Sequence, residues 1–176
     1  MSKWLYPLKK SLILPDELGS FGYVRKFHTH EGIDLYGEQN ESVFAVEDGI
    51  VVGIEWFTGE YTNPKTDWWN NTQGLLVEGE SGVVVYGEIL INKDIKIGNQ
   101  INRGQKVGEL ETVLKKDKGR PMTMLHLELY EKGIKKTGEW DHGNPKPEGL
   151  LDPTQKITDA FFEVYKGDIK KAYYKP

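Results

Sequence analysis

Val43-Phe44-Ala45-Val46-Glu47-Asp48-Gly49-Ile50-Val51-Val52-Gly53-Ile54-Glu55-Trp56 decides the fold class. Two runs of β-branched and apolar residues flank an Asp-Gly pair, whose tolerance of positive φ suits a two-residue turn. The reading predicts a hairpin of residues 43–46 against residues 50–56. The same grammar recurs downstream, where residues 75–77 and 83–86 flank Glu80-Ser81-Gly82 and predict a second hairpin. Residues 105–110 and 125–130 complete the strand set. Short strands separated by turns at this spacing predict a mainly β protein, a folded antiparallel sheet or sandwich.

Two segments depart from the pattern. Residues 57–73 form a long polar and aromatic stretch with Tyr61, Pro64, Trp68 and Trp69. A loop of that length in a compact domain is usually functional or disordered. Trp68 and Trp69 are therefore candidate substrate-binding residues, or else they cap one end of the core. At the other end, Asp152-Pro153-Thr154-Gln155 reads as a helix start, with Asp152 as cap, Pro153 in the first turn and Gln155 three residues beyond the cap. Ile157, Ala160, Phe161, Val164 and Tyr165 then recur at helical spacing. The predicted organisation is an N-terminal extension over residues 1–23, a β domain over 24–155, and a C-terminal helix and tail over 156–176 packed on it.

Composition narrows the function. The chain has 176 residues and a net charge of −4, which argues against nucleic acid, since phosphate binding needs a concentrated basic surface. Its basic run, Lys115-Lys116-Asp117-Lys118-Gly119-Arg120, sits among turn formers and reads as a solvated loop. The absence of cysteine excludes disulfides, thiolate metal sites and thiol nucleophiles. The apolar stretch at the N-terminus is too short for a signal peptide, and no stretch approaches the roughly 18 apolar residues of a membrane span. Without a leader the expectation is a cytoplasmic protein, unless export or release follows another route.

There are four histidines, His28, His30, His126 and His142. His30 and Asp34 lie in one short motif, and His126 lies in Met124-Leu125-His126-Leu127-Glu128. Two imidazoles and a carboxylate are the ligand set of an open, catalytic type of zinc site. In an extended strand Leu125, Leu127 and Leu129 line the core, while Met124, His126 and Glu128 share the opposite, polar face. Taken singly, His126 also fits a surface position, and His30-Glu31-Gly32-Ile33-Asp34 also fits a simple turn. His142, in Asp141-His142-Gly143-Asn144-Pro145, reads as a loop residue.

In order, His30-x-Gly32-Ile33-Asp34-Leu35, Val43-x-Ala45-x-x-Asp48-Gly49-x-Val51-Val52, Tyr86-Gly87-Glu88-Ile89, Ile97-Gly98 with Gly104-Gln105-x-Val107-Gly108, Leu125-His126-Leu127-Glu128 and Leu151-Asp152-Pro153 resemble the lysostaphin-type zinc metallopeptidases, which cut peptide cross-links in bacterial cell walls. The likeness spans roughly residues 24 to 155. It implies a folded antiparallel sheet with a groove, the duplicated hybrid motif, and zinc held by His30, Asp34 and His126. Glu128 would then orient an imidazole or line the groove, and the implied substrate is a peptide of the peptidoglycan type.

Two positions depart from the family pattern. Glu88 stands where the family has the histidine of its Tyr-x-His block, and Met124 stands where it has the first histidine of its His-x-His block. Those histidines assist the attacking water and stabilise the developing oxyanion. A thioether can do neither. Glu88 admits several readings: a general base, as in peptidases that use a glutamate beside zinc, a fourth ligand that closes the site, or a bystander. Tyr86 is a candidate assistant. His28 falls on the same side as His30 if residues 28–30 run extended, so it could replace a missing histidine or remain a surface residue.

Two functional classes follow. One is a zinc-dependent hydrolase of peptide or related amide bonds with Glu88 as base. The other is a catalytically degenerate module on the same scaffold that acts through a protein partner. A carrier or phosphotransfer domain is weaker, since no Met-Lys-Met-like turn occurs and Met124 spoils a reactive histidine pair.

Overall fold

A computed structural model of the chain describes residues 3–175. Met1, Ser2 and Pro176, the outer ends of the expected extension and tail, lie outside the described residues. The protein is mainly β, with nine strands among the described residues: β1 (Ile33–Tyr36), β2 (Ser42–Phe44), β3 (Gly49–Thr58), β4 (Thr72–Gly79), β5 (Val83–Ile91), β6 (Gln100–Ile101), β7 (Lys106–Leu110), β8 (Met124–Tyr130) and β9 (Leu150–Leu151). Among the described residues one α-helix, α1 (Thr154–Val164), follows them, and then a short 3-10 turn at Ile169–Lys171. The strands run in the order β1-β8-β5-β4-β3-β6, with β2 on β7, β7 on β5 and β9 on β8. All the strand pairs are antiparallel.

The β4–β5 hairpin forms as its sequence predicts. The hairpin expected across Asp48-Gly49 does not. β2 pairs instead with β7, and on its other side with the N-terminal segment, where Phe44 N–H donates to the Pro7 carbonyl at 3.0 Å. Gly49 lies inside β3 opposite Gly79. Its φ is not positive, and a Cβ there would lie 2.6 Å from the Glu78 carbonyl oxygen. Glycine serves close strand approach at this position rather than a tight turn.

Strand β5 changes partner along its length. Residues 83–87 pair with β8, and residues 89–91 pair with β7. The register against β4 shifts between Leu75–Tyr86 and Gln73–Ile89, which leaves an extra residue in β5. Glu88 sits at that bulge, with φ of 61°. Bulges re-aim side chains and gather near functional sites.

The main core joins apolar side chains of the sheet with Trp4, Tyr6, Leu8 and Leu14 of the N-terminal segment and Ile157, Ala160 and Phe161 of α1. Phe161 packs edge-on to Tyr6 with ring centroids 5.3 Å apart, so the helix clamps the segment to the sheet. At the helix start Asp152 accepts from Thr154 N–H at 2.9 Å. Gln155 turns to Asp159 instead of back to the cap, so no capping box forms. Val164, expected on the apolar stripe, is exposed.

All seven residues of β8 are buried. The face of β8 expected to be polar and open is covered as well as the core face, and that enclosure creates the site.

Candidate metal centre

His30 enters from the chain just before β1, Asp34 lies within β1, and His126 lies directly opposite Asp34 in β8. Gly32 lets the two strands close up, because a Cβ there would sit 2.5 Å from the Leu127 carbonyl oxygen. His30 Nε2, Asp34 Oδ1 and His126 Nδ1 converge, separated by 3.1 Å between the two nitrogens and by 3.1 and 2.9 Å to the carboxylate oxygen. All three side chains are buried.

The outer nitrogens fix the tautomers. His30 Nδ1 lies 2.9 Å from the Ser20 carbonyl oxygen, which can only accept, so Nδ1 carries the proton and Nε2 presents a lone pair. His126 Nε2 lies 2.8 Å from Glu128 Oε1, so the same logic turns the Nδ1 lone pair inward. Three acceptors then face one another with no donor between them. Such a cluster requires a shared cation. An extra proton on His126 is one solution: burial pulls its pKa down, but hydrogen bonds to Asp34 and Glu128 raise it well above the ordinary imidazole value. A divalent metal is the other. Zinc with ligands at about 2.0–2.2 Å in a tetrahedron sets its donors roughly 3.4 Å apart, close to the spacing found, and the nitrogen and oxygen donors suit it. His30, Asp34 and His126 are also the one metal-ligating group of this kind among the described residues.

Asp34 is held further by Arg25, whose Nη2 donates to Asp34 Oδ2 at 2.6 Å and to the Leu18 carbonyl at 3.0 Å. Burial opposes ionisation of Asp34, yet His30, His126 and their hydrogen bonds keep its carboxyl well below the usual carboxylate range. Arg25 escaped the sequence reading because nothing in the local pattern ties it to Asp34.

Glu88 has a buried Oε2 with no hydrogen-bond partner. Burial, reinforced by the Asp34 charge, pushes its carboxyl up to about 7. Its chain neighbour Gly87 pairs with His126 across β5 and β8, and the charges of Asp34, His126, Arg25 and Glu128 act on it. Phe57 covers the same region, with its ring centroid 5.6 Å from that of His126. It fits because Gly87 has no Cβ to meet it at 2.8 Å.

Other expected residues fall elsewhere. Tyr86 is fully buried on the core face of β5, and its hydroxyl accepts from Val46 N–H at 2.8 Å, so it takes no part in the site. Glu128 is a buried partner of His126 rather than a groove or surface acid. Trp68 is 62% exposed and Trp69 pairs with Leu114; neither lines the pocket that opens onto Asp34. That pocket, of about 510 Å³, takes His28 and Met124 into its wall. Burial lowers the pKa of His28 and favours its neutral form. His142 is exposed, as expected of a loop residue.

A bulged antiparallel sheet with two histidines and an aspartate converging under it defines the lysostaphin-type metallopeptidase class. The chain belongs to Peptidase family M23, whose pattern it matches over residues 28–137. No curated protein sequence matches the chain. Among solved structures it resembles CbpA from L. salivarius REN, at 20% identity and a TM-score of 0.56, over 92% of this chain and 98% of that one. A zinc-containing peptidase from Vibrio cholerae is similar at 20% identity and a TM-score of 0.52 over 83% of this chain, which spans 41% of that protein's length. The catalytic domain of a mutant of the prophage-encoded protein EnpA from Enterococcus faecalis aligns at 17% identity and a TM-score of 0.50, over 80% and 98% of the two chains. At these identities the likeness is one of fold. No helix among the described residues is long and apolar enough to cross a membrane.

Proposed function

We propose that the chain is a zinc-dependent hydrolase of amide bonds in peptides of the peptidoglycan type, with Glu88 as general base. The observation that carries this reading is the convergence of His30 Nε2, Asp34 Oδ1 and His126 Nδ1 to within 3.1 Å of one another, with their outer atoms already tied to Ser20, Arg25 and Glu128. A cluster kept for packing alone has no need of three lone pairs aimed at one point. Bound there, zinc would supply Lewis acidity, polarising the scissile carbonyl and easing deprotonation of water.

The chain's own groups account for the rest. Glu88 holds an unpartnered oxygen in a dry position, with a carboxyl pushed up to about 7. An unpartnered carboxylate oxygen in that place can take a proton from the attacking water and return it to the departing amine. Glu128 and the Ser20 carbonyl hold the two imidazoles in the tautomers the site needs. Arg25 binds the outer oxygen of Asp34 and fixes its orientation. His28, neutral and on the pocket wall, can hydrogen-bond to substrate. Met124 supplies an apolar wall and no proton.

The test is Glu88→Gln, which keeps the shape and removes the base. Turnover of cell-wall peptides is expected to fall by about 10²–10⁴-fold, with one zinc per chain retained by elemental analysis. Turnover unchanged in that variant would remove Glu88 from the mechanism. Wild-type protein that holds zinc yet cleaves no such peptide would instead fit a binding module on the same scaffold.

A further inference from the structure

About half of the residues lining the pocket beside Asp34 lie outside the family match, which covers residues 28–137. Its near wall is the tip of a small hairpin, in which Arg25 N–H donates to the His28 carbonyl and His30 N–H donates to the Tyr23 carbonyl. The hairpin brings Lys26 and Phe27 to the rim. Tyr174, delivered by the C-terminal tail through a bond from its N–H to the Leu14 carbonyl, stacks on Tyr36 with centroids 4.4 Å apart and closes one end. The loop after β7, where Val113 N–H donates to the Met122 carbonyl, also lines the pocket through Arg120, Pro121 and Met122.

The charges on these walls do not cancel. The outer oxygen of Asp34 is already satisfied by Arg25. Asp16 accepts from Gly19 N–H at 2.8 Å, but a neutral donor does not offset a carboxylate, so Arg25, Lys26 and Arg120 stand against Asp16 and Asp34 with an excess of one cation. Arg120 makes no hydrogen bond or ion pair among the described residues, and Lys26 has only the Phe27 ring, 5.0 Å away. A neutral or cationic ligand seated here would cover these cations without pairing them, which costs desolvation and discriminates against it. A carboxylate would pair with a guanidinium through charge-assisted hydrogen bonds.

We propose that this pocket is a carboxylate-binding subsite, with Arg120 as its principal contact and Lys26 in support. The substrate class is thus a peptide with a free carboxylate close to the bond presented at His30, Asp34 and His126. This deepens the hydrolase reading and rests on it for the word substrate, whereas the binding preference can be measured without turnover.

Three probes suffice: N-acetyl-tetraglycine with a free C-terminal carboxylate, its C-terminal amide, and the amide with glutamate in place of one glycine. Calorimetric titration into the intact protein is expected to give about tenfold tighter Kd for at least one carboxylate peptide over the plain amide. Whichever carboxylate wins identifies its source, main-chain terminus or acidic side chain. Arg120→Gln, at an exposed position without partners, is expected to erase the preference with Tm unchanged. His126→Ala, which removes a metal ligand, is expected to retain it. Equal binding of all three peptides by the wild type overturns the subsite, as does a preference that survives Arg120→Gln. A preference lost in His126→Ala but kept in Arg120→Gln also overturns it, because the carboxylate would then be binding at the metal centre. Absence of turnover with the preference intact would refute the hydrolase reading alone.

Discussion

Glu88 combines a left-handed backbone, φ of 61°, with a buried carboxylate oxygen that has no partner. Left-handed φ costs a side-chain-bearing residue about 1–2 kcal/mol, and an unsatisfied buried polar group about 1–3 kcal/mol. Glycine would relieve both while giving up about 1 kcal/mol of chain entropy. Glu88→Gly is therefore expected to be more stable than the wild type by about 1 kcal/mol in urea unfolding, and to lose peptide hydrolysis. A less stable variant would mean that Glu88 contributes more contact than strain. The sequence marks Glu88 as an odd residue in a family block, but its left-handed φ comes from a change of strand partner that no local pattern records. Arg25 is less legible still. Its bond to Asp34 depends on a hairpin folding back nine positions, and an arginine near a histidine carries no such message in sequence. Tyr86 errs in the opposite direction: the resemblance places it in a catalytic block, while strand alternation turns its ring into the core.

Strand pairing sets how well the ligands meet. Asp34 faces His126 across β1 and β8 in a register that Gly32 permits. In Gly32→Ala the new Cβ would stand 2.5 Å from the Leu127 carbonyl oxygen, too close for backbone to yield cheaply. The variant is expected to lose about 2 kcal/mol of stability and to bind zinc substoichiometrically. Calorimetry and elemental analysis check the two effects, and a wild-type Tm would mean that β1 shifts freely. Strand existence was readable from β-branched runs between turns. Partner choice was not, as the failed hairpin at Asp48-Gly49 illustrates. A dipeptide suited to positive φ does not adopt it when the N-terminal segment and β7 already occupy both edges of β2. The helix was legible from its periodicity, although Val164 shows where that periodicity runs past the surface it covers.

Segments far apart in sequence enclose the candidate metal centre and the pocket beside it, so a bound metal would be coupled to the fold. Zinc at about 100 times its Kd would stabilise the protein by about 2.7 kcal/mol. Chelation is thus expected to lower Tm by about 5–10 °C for a chain of this size, reversibly on adding zinc, with no response in His126→Ala. A chelator-insensitive wild type would show that the three acceptors are satisfied by protons alone. By itself the sequence determined the mainly β class, the C-terminal helix and the family, because these rest on alternation, periodicity and ordered motifs that each chain segment carries locally. Through the family resemblance it also picked out His30, Asp34 and His126, the three candidate ligands that the fold brings together. The tertiary structure decided what surrounds them: the tautomers set by Ser20 and Glu128, the grip of Arg25 on Asp34, the buried Oε2 of a half-buried Glu88 and the cations on the pocket walls. The reason is physical. Protonation, burial and charge balance belong to groups brought together from different segments, and they exist only once the chain has folded.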